Sequence, residues 1–427
     1  MGKIYVSNFI NDNIKNPLQE AINIASKGDI VILDKSISCG ITLLKSNIEL
    51  KINRGVTLKA SSNLLDFNYM DDCELNLVTR PTWEDCSYNG APSKFFLYGN
   101  NIYNFKLTGY GIIDGNEEIF YGRVTKDHIE GKFYPRVPLL YLINSKNISI
   151  SNITIQKSAF WTIHLVGDKN VVIDGIKIKN SRIFANCDGV DIDSSVNVTV
   201  KNSYISCADD CIVLKSTKEG EKYGTCNKIR GYNNVLESTS AAIKIGSESE
   251  TDFYDIYFYN NKIIKSNRGI SFQLRDKGNI YNCKFKNIYI ETRHFSPVEW
   301  WGKAEPIFLS SVKRYSDTKL GNIRDITFEN IVIDSENSIF LYGDIKNVSF
   351  KDISFKLRKK TNYDLKIHDL RPSINFSEPF NTNLTLFYFD GGVSNVLVED
   401  FNYSISNNIK KYLDSIYYIN GSDINIK

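Results

Sequence analysis

A short pattern returns along most of this chain: an asparagine, apolar residues at alternate positions, a second Asn or Asp, then alternation again. It reads SNIELKINRGVTL at 46–58, NIYNFKLTGYGII at 101–113, KNISISNITI at 146–155, KNVVIDGIKI at 169–178 and VNVTVKNSYI at 196–205. Later copies are GNIYNCKFKNIYI at 278–290, GNIRDITFENIVI at 321–333, KNVSFKDISF at 346–355 and SNVLVEDFNY at 394–403. Period-two alternation is the mark of a strand with one buried face. Between copies lies a further short apolar strand, such as LLYLI (139–143), WTIHLVG (161–167), GVDIDSS (189–195), CIVLKS (211–216), AIKIGS (242–247) and GISFQLR (269–275). The spacing, about 22 to 37 residues, falls near the range of stacked-repeat architectures. Three short strands per repeat, with Asn, Asp and Gly at the corners and no helical pattern between, predict a parallel β-solenoid. The expected fold is all-β: a single-domain right-handed parallel β-helix over residues 1–427. Ten to twelve coils at about 4.8 Å each would make a rod of roughly 50 Å. Corner asparagines can hydrogen-bond from coil to coil. A propeller is the rival architecture, and the uneven repeat length counts against it.

The start of the chain differs. PLQEAINIASKGDIVIL places Ala21, Ile22, Ile24 and Ala25 at helical spacing, predicting a short helix near 18–26 inside an N-terminal cap spanning 1–30. Three longer connections, 63–95, 116–137 and 291–306, interrupt the rhythm and are expected to form loops around a groove. With 427 residues, 42% of them hydrophobic, the chain can bury a large core. A formal charge of +3, without long Lys or Arg runs, argues against a nucleic-acid surface. Eight cysteines without a CxxC pair argue against a zinc site. Neither an 18-residue apolar run nor a basic-then-apolar leader is present. No membrane partner is therefore expected, and the protein as written reads as cytoplasmic, or secreted if a leader has been removed.

The stretch 186–216, NCDGVDIDSSVNVTVKNSYISCADDCIVLKS, holds two strands, each entered through an acidic turn. If those strands are neighbours, Asp188, Asp209 and Asp210 gather on one rim, which is costly unless their protonation states differ. Opposite the core positions, the strands carry Thr162 and His164, Asp191 and Asp193, Val213 and Lys215, Ala242 and Lys244, then Ser271, Gln273 and Arg275. A solvated face laced with ion pairs is the plain reading of such a lane. A rigid lane of alternating charge also suits docking of a polar polymer.

At these residues the chain resembles a known family. NCDGVDIDSS and CADDCIVLKS are similar to the paired signatures of glycoside hydrolase family 28, the polygalacturonase-like right-handed parallel β-helix enzymes. GYGIIDGNE (109–117), SAFWTIHL (158–165) and SNIELKINRGVTLKAS (46–61) resemble its earlier segments, in the family's order, and the likeness covers roughly residues 18–400. The resemblance implies inverting hydrolysis of a glycosidic bond without metal or cofactor. Asp210 would be the general acid, with Asp188 and Asp209 positioning and deprotonating water. Inversion requires that division: a protonated carboxyl on the leaving oxygen and a carboxylate activating water on the opposite ring face. Because like charges crowd, Asp210→Asn is expected to abolish turnover and leave stability nearly unchanged.

Two departures bear on substrate. Where the family's polygalacturonases carry Gly-His-Gly, this chain has Ser240-Ala241-Ala242, and where they carry Arg-x-Lys it has Ser271-Phe272-Gln273. A neutral glutamine lacks the charge-assisted bond that lysine gives a uronate carboxylate. A substrate other than plain polygalacturonan is therefore expected. Lys244 and Arg275 would contact it, Gln273 would bond a hydroxyl, and His164, Asp191 and Lys215 would line the same lane. Trp300 and Trp301 sit in the 291–306 loop, where an indole can face a sugar ring or pin the loop. Trp83, His128 and Arg136 would wall the other end, an enclosure suited to exo action. Two other classes stay open: a polysaccharide lyase using Lys215 or Lys244, and a non-catalytic carbohydrate-binding β-helix.

Overall fold

Each coil must turn with positive φ at a corner, and asparagine tolerates that left-handed conformation better than other side-chain-bearing residues. Asn47, Asn104, Asn147, Asn170 and Asn197 stand there with φ between 52° and 61°. Their side chains form a ladder: Asn104 donates to Asn47 at 3.0 Å, Asn147 to Asn104 at 3.1 Å, Asn170 to Asn147 at 3.0 Å and Asn197 to Asn170 at 2.8 Å. The strands that follow pair in parallel and in register, Phe105 with Ile148, Ile148 with Val171 and Val171 with Val198. Those four side chains are buried. One asparagine per turn thus sets both the corner and the register.

The computed structural model describes residues 2–68, 94–132, 136–296 and 299–427. It divides into two units, Met1–Ala208 with Lys218–Gly224, and Asp209–Thr217 with Thr225–Lys427. Both are parallel β-helices built as the repeats predict. In the second unit the same corner carries Asn347 donating to Asp325 at 2.9 Å and Asn395 to Asn347 at 2.7 Å, and a second ladder stands at another corner, Asn287 donating to Asn260 at 3.1 Å and Asn330 to Asn287 at 2.9 Å. Inside it Phe258, Phe285, Phe328 and Phe350 stack coil on coil with centroids 5.8, 5.2 and 5.0 Å apart. Identical register is what lets identical side chains stack.

A helix, α1 (Pro17–Ile24), lies at the N-terminal end as expected. Asn16 caps it, accepting from the Gln19 amide at 3.1 Å. Its buried stripe is Leu18, Ala21 and Ile22, whereas Ile24, assigned to that stripe from its spacing, is 59% exposed. The helix ends at Ile24 and the chain becomes extended at Ala25, so the fourth apolar position never completes its turn. No helix among the described residues is long and apolar enough to cross a membrane.

The strands bearing the outer lane are, in the first unit, β1 (Thr42–Leu43), β2 (Leu97–Asn100), β3 (Leu140–Ile143), β4 (Ile163–Val166) and β5 (Val190–Asp193). In the second unit they are β6 (Ile212–Ser216), β7 (Ala241–Ser249), β8 (Arg268–Leu274), β9 (Ile307–Ser311), β10 (Ile339–Gly343), β11 (Phe387–Asp390) and β12 (Tyr417–Ile419). Register fixes which residues stand side by side on the outer face. In the first unit the column is Leu43, Tyr98, Tyr141, His164 and Asp191. In the second it is Val213, Lys244, Ser271, Phe308, Phe340, Tyr388 and Tyr418. The polar lane is therefore replaced, from β9 onward, by aromatic rings.

Residues 69–93, including Trp83, lie outside the described residues, so the wall expected from the 63–95 insert is described only at its ends. The 116–137 insert forms a hairpin, Tyr121–Val124 antiparallel to Ile129–Gly131, docked through a bridge from Ile129 to Phe184.

The Asn170 rung can be tested by separating backbone from ladder. Asn170→Ala, which keeps a Cβ at φ 61° and loses both rungs, is expected to cost about 2 kcal/mol. Asn170→Gly loses the rungs alone and should cost roughly half as much. Urea unfolding of the three proteins checks this.

Candidate functional site

In the first unit the turn before Asp188 is built by two buried polar groups. Arg136 lies between Phe160 and Phe184, its guanidinium 5.3 and 4.7 Å from their ring centroids. It donates to the carbonyls of Ala159 and Ala185. It is a fastener of the turn, and not the groove wall expected from sequence. Asn180 accepts from the Ser158 amide at 3.1 Å and donates to Thr162 Oγ1 at 2.7 Å and the Cys187 carbonyl at 3.2 Å. Asp188 follows, 1% exposed. His128 is half-buried in the docked hairpin, next to Ile129, which bonds Ile183 and Ala185.

His164 and Asp191 are lateral neighbours on β4 and β5. His164 Nε2 lies 3.4 Å from Asp193 Oδ2, and its ring meets Tyr141 and Trp161 edge to face at 4.9 and 4.8 Å. Sequence reading missed Glu219, which sits in a turn with no repeat signal. Burial pushes its carboxyl up, against the pull of His164 and a hydrogen bond from Tyr141. The next residue must be glycine, since a Cβ at Gly220 would stand 2.1 Å from Asp193 Oδ1.

In the second unit Asp210 is 1% exposed and held on both oxygens. Ser240 Oγ and the Ala241 amide donate to Oδ1 at 3.0 and 3.1 Å, and Lys244 Nζ donates to Oδ2 at 2.8 Å. The Ser240-Ala241 segment thus supplies two donors to the Asp210 carboxylate. Lys244 is bound to Asp210, as expected of a cation that neutralises the aspartate cluster, the alternative to its contacting substrate. Asp209 is half-buried, and its carbonyl accepts from Ser238 Oγ at 2.6 Å. Lys215 Nζ lies 3.7 Å from Glu248 Oε2. Burial alone would raise the Glu248 carboxyl, but Lys215, Arg314 and Lys244 outweigh it and hold it below its usual value.

The other two expected contacts are corrected. Arg275 is 0% exposed and gives its guanidinium to the carbonyls of Leu274, Ser310 and Leu370 and to Ser310 Oγ. Parity put it on the outer side, where its guanidinium meets Ser310 Oγ and the Leu370 carbonyl, but the segment 368–371 covers it there and leaves no surface for substrate. Gln273 is also buried and donates to the Arg371 carbonyl at 3.1 Å. With Arg268 donating to the Asp369 carbonyl at 2.7 Å, three β8-region side chains grip three successive carbonyls, 369 to 371. Leu370 packs with Phe308, Phe340 and Tyr388. Residues 368–371 therefore form a strap over the outer face of β8 to β11. The strap was missed; its only trace in the sequence is the interruption of the repeat between 355 and 386.

In the 291–306 loop Trp300 is buried and Trp301 half-exposed. Glu305 pairs with Arg268 at 3.0 Å and with His368 Nδ1 at 3.0 Å. Burial would raise its carboxyl, yet Arg268 and His368 hold it far below the ordinary range. Lys303 bonds the Trp300 carbonyl at 3.1 Å, its amide bonds Glu305 at 2.7 Å, and burial pulls its ammonium down. The loop is thus pinned from below by Trp300 and its ion pairs.

A model described as Glycosyl hydrolases family 28 matches residues 28–363. A probable polygalacturonase of Vitis vinifera is 29% identical over 248 residues, 55% of this chain and 49% of that protein. The match spans about half that relative's length. The endo-polygalacturonase of Pectobacterium carotovorum subsp. carotovorum is 23% identical over 344 residues, 77% of this chain and 79% of that one. The family 28 exopolygalacturonase of Yersinia enterocolitica superposes with a TM-score of 0.68 at 16% identity, covering 100% of this chain and 78% of that one. A hyperthermoactive exopolygalacturonase of Thermotoga maritima gives 0.66 at 19% identity, covering 93% and 91%. These two likenesses show the shared parallel β-helix.

His294, 2% exposed, has no hydrogen-bond partner on either ring nitrogen among the described residues. Burial pulls it from 6.5 to about 4, although Glu305 and Glu336 act the other way. A depressed imidazole binds its proton less readily folded than unfolded, so stability is full above pH 6.5 and falls as pH drops toward 4. The loss is about 3 kcal/mol at most. Glu305, also depressed, works in the same direction at lower pH. His294→Phe, which keeps a ring against Tyr363, should flatten the fall of Tm between pH 6.5 and 4.5.

Proposed function

The chain belongs to glycosyl hydrolases family 28, and from that premise we propose that it cleaves a glycosidic bond with inversion, acting at the end of an oligosaccharide or polysaccharide other than plain polygalacturonan. The observation that carries the reading is the place of Asp210, buried in the family's motif. Donors on both oxygens suit its ionised form, so Asp210 takes up a proton on Oδ2 as Lys244 withdraws and then gives it to the leaving oxygen. Asp188 and Asp209 hold water and take its proton, so that attack comes from the face opposite departure. Lys244 occupies Oδ2, and a substrate oxygen replaces it there as the bond is made ready. His164, Asp191 and Lys215 line the lane, and Trp301 offers a ring face to a sugar.

The strap supports action at chain ends, because a polymer cannot continue along an outer face that residues 368–371 cover. Gln273 in the place of a cationic side chain supports a substrate unlike plain polygalacturonan.

Asp210→Asn is expected to lower kcat by at least ~10²-fold. The Lys244 pair overturns the expectation of unchanged stability. With side chains 1% and 11% exposed, removing the carboxylate leaves a buried ammonium unpaired, at a cost of about 2 kcal/mol. Asp210→Asn with Lys244→Met should recover most of that stability and none of the activity. Anomeric analysis of the first product by NMR reads the stereochemistry. An unsaturated product absorbing in the ultraviolet would mean a lyase.

A further inference from the structure

The resting contact between Lys244 and Asp210 is at odds with proton donation. An ammonium 2.8 Å from Oδ2 favours the carboxylate, yet an acid must carry a proton when the bond breaks. Lys244 has to withdraw first, and it is buried. A buried ammonium without a counter-charge is costly, so the withdrawn side chain needs a second anionic seat.

The second unit holds one on the same strand. Leu214 of β6 pairs with Ile245 of β7, and Ser216 with Ser249, so Lys215 stands opposite residues 246 to 248. Such a bulge re-aims a side chain out of the regular alternation, and Glu248 lies in it. The backbone is fixed on either side of Glu248. Arg314 donates to the Ser247 carbonyl at 2.7 Å, and Asp276 accepts from the Ser249 amide at 2.9 Å. The carboxylate is less committed: among the described residues its one ion pair is with Lys215, at 3.7 Å. Arg314 also acts on it but is paired with Asp276 at 2.7 Å. Burial works against its charge, and Lys215, Arg314 and Lys244 outweigh burial, so Glu248 stays an anion. The lateral neighbours of Lys244, Val213 and Ser271, carry no charge. Asp209, next to Asp210 in the chain, is half-buried.

We propose that the Lys244 ammonium has two seats, Asp210 at rest and Glu248 while the acid is protonated, which makes Glu248 a positioning residue for the general acid. The hydrolase reading supplies the step that this exchange serves. A proton from solvent adds to Asp210 Oδ2 as the ammonium, keeping its own three protons, crosses to Glu248. The added proton passes to the leaving oxygen as the glycosidic bond breaks, and Lys244 returns to the carboxylate left behind. The flexible four-carbon stem of lysine suits such an exchange. Lys244 thus follows negative charge between two carboxylates whose backbones do not move.

Thermal unfolding at neutral pH detects the two seats without substrate. In Asp210→Asn the ammonium still has Glu248; in Asp210→Asn with Glu248→Gln it has neither. The double variant is expected to lose at least ~2 °C more in Tm than the two single losses added. That excess should vanish when Lys244→Met is present throughout. Additive losses overturn the proposal, as does an excess that persists without Lys244. Turnover is then followed against pH, on whichever oligosaccharide of a mixed neutral and charged panel the unaltered protein cleaves fastest. Glu248→Gln strands Lys244 when the acid is protonated, so the alkaline limb of kcat should move at least ~1 pH unit lower. KM should stay within about twofold. In the Lys244→Met background the same change should move the limb by less than ~0.3 unit, the through-space effect of a screened charge. Equal shifts in both backgrounds mean that Glu248 acts through space only, and overturn the proposal. Lys244→Gln takes the place of Lys244→Met if that variant does not fold. Failure to cleave any member of the panel removes the enzyme reading, and the unfolding cycle still decides the two seats.

Discussion

Everything in this chain depends on keeping successive coils in register. Parallel pairing alone leaves a strand free to slip, and a slip of one residue turns every core side chain outward. The corner asparagines remove that freedom. Each is held in the left-handed conformation and tied to the asparagine one coil below, as in the run from Asn47 to Asn197. With register fixed, phenylalanines from Phe258 to Phe350 stack inside, and the outer residues fall into straight columns. A site on such a surface is a matter of which side chains each coil contributes to the same column.

In the second unit the column shows how charge is managed. Asp210 and Glu248 are each met by an ammonium from the same or the adjoining strand, Lys244 and Lys215. Farther along, Arg314 is paired with Asp276 at 2.7 Å. Buried charges require partners of this kind. Ser240, the Ala241 amide and Lys244 together hold both oxygens of Asp210.

Two segments outside the repeat are fixed in the same way. The strap of residues 368–371 is fastened by Arg268, Gln273 and Arg275, and apolar contacts of Leu370 with the aromatic column press it down. The 291–306 loop is anchored by buried Trp300 and by Glu305 between Arg268 and His368. Because the two segments share Arg268 and Glu305 as fasteners, each depends on the other for its position.

The solenoid was legible from residue order alone, because period-two alternation and corner asparagines are local and repeat; strand after strand lies where the pattern placed it. The acidic motif was equally legible, since Asp188, Asp209 and Asp210 stand in turns between strands that local sequence defines. The fate of the lane residues was not. Parity told correctly that Lys244 and Gln273 point outward, but Gln273 meets a carbonyl about 100 residues away in sequence, and no local pattern announces such a contact. Arg275 meets the Leu370 carbonyl 95 residues on, and that cover is equally absent from the local pattern. His368, Asp369 and Arg371 carry no motif and occupy an interruption of the repeat, so their part at the strap follows from long-range packing, which only the folded chain sets.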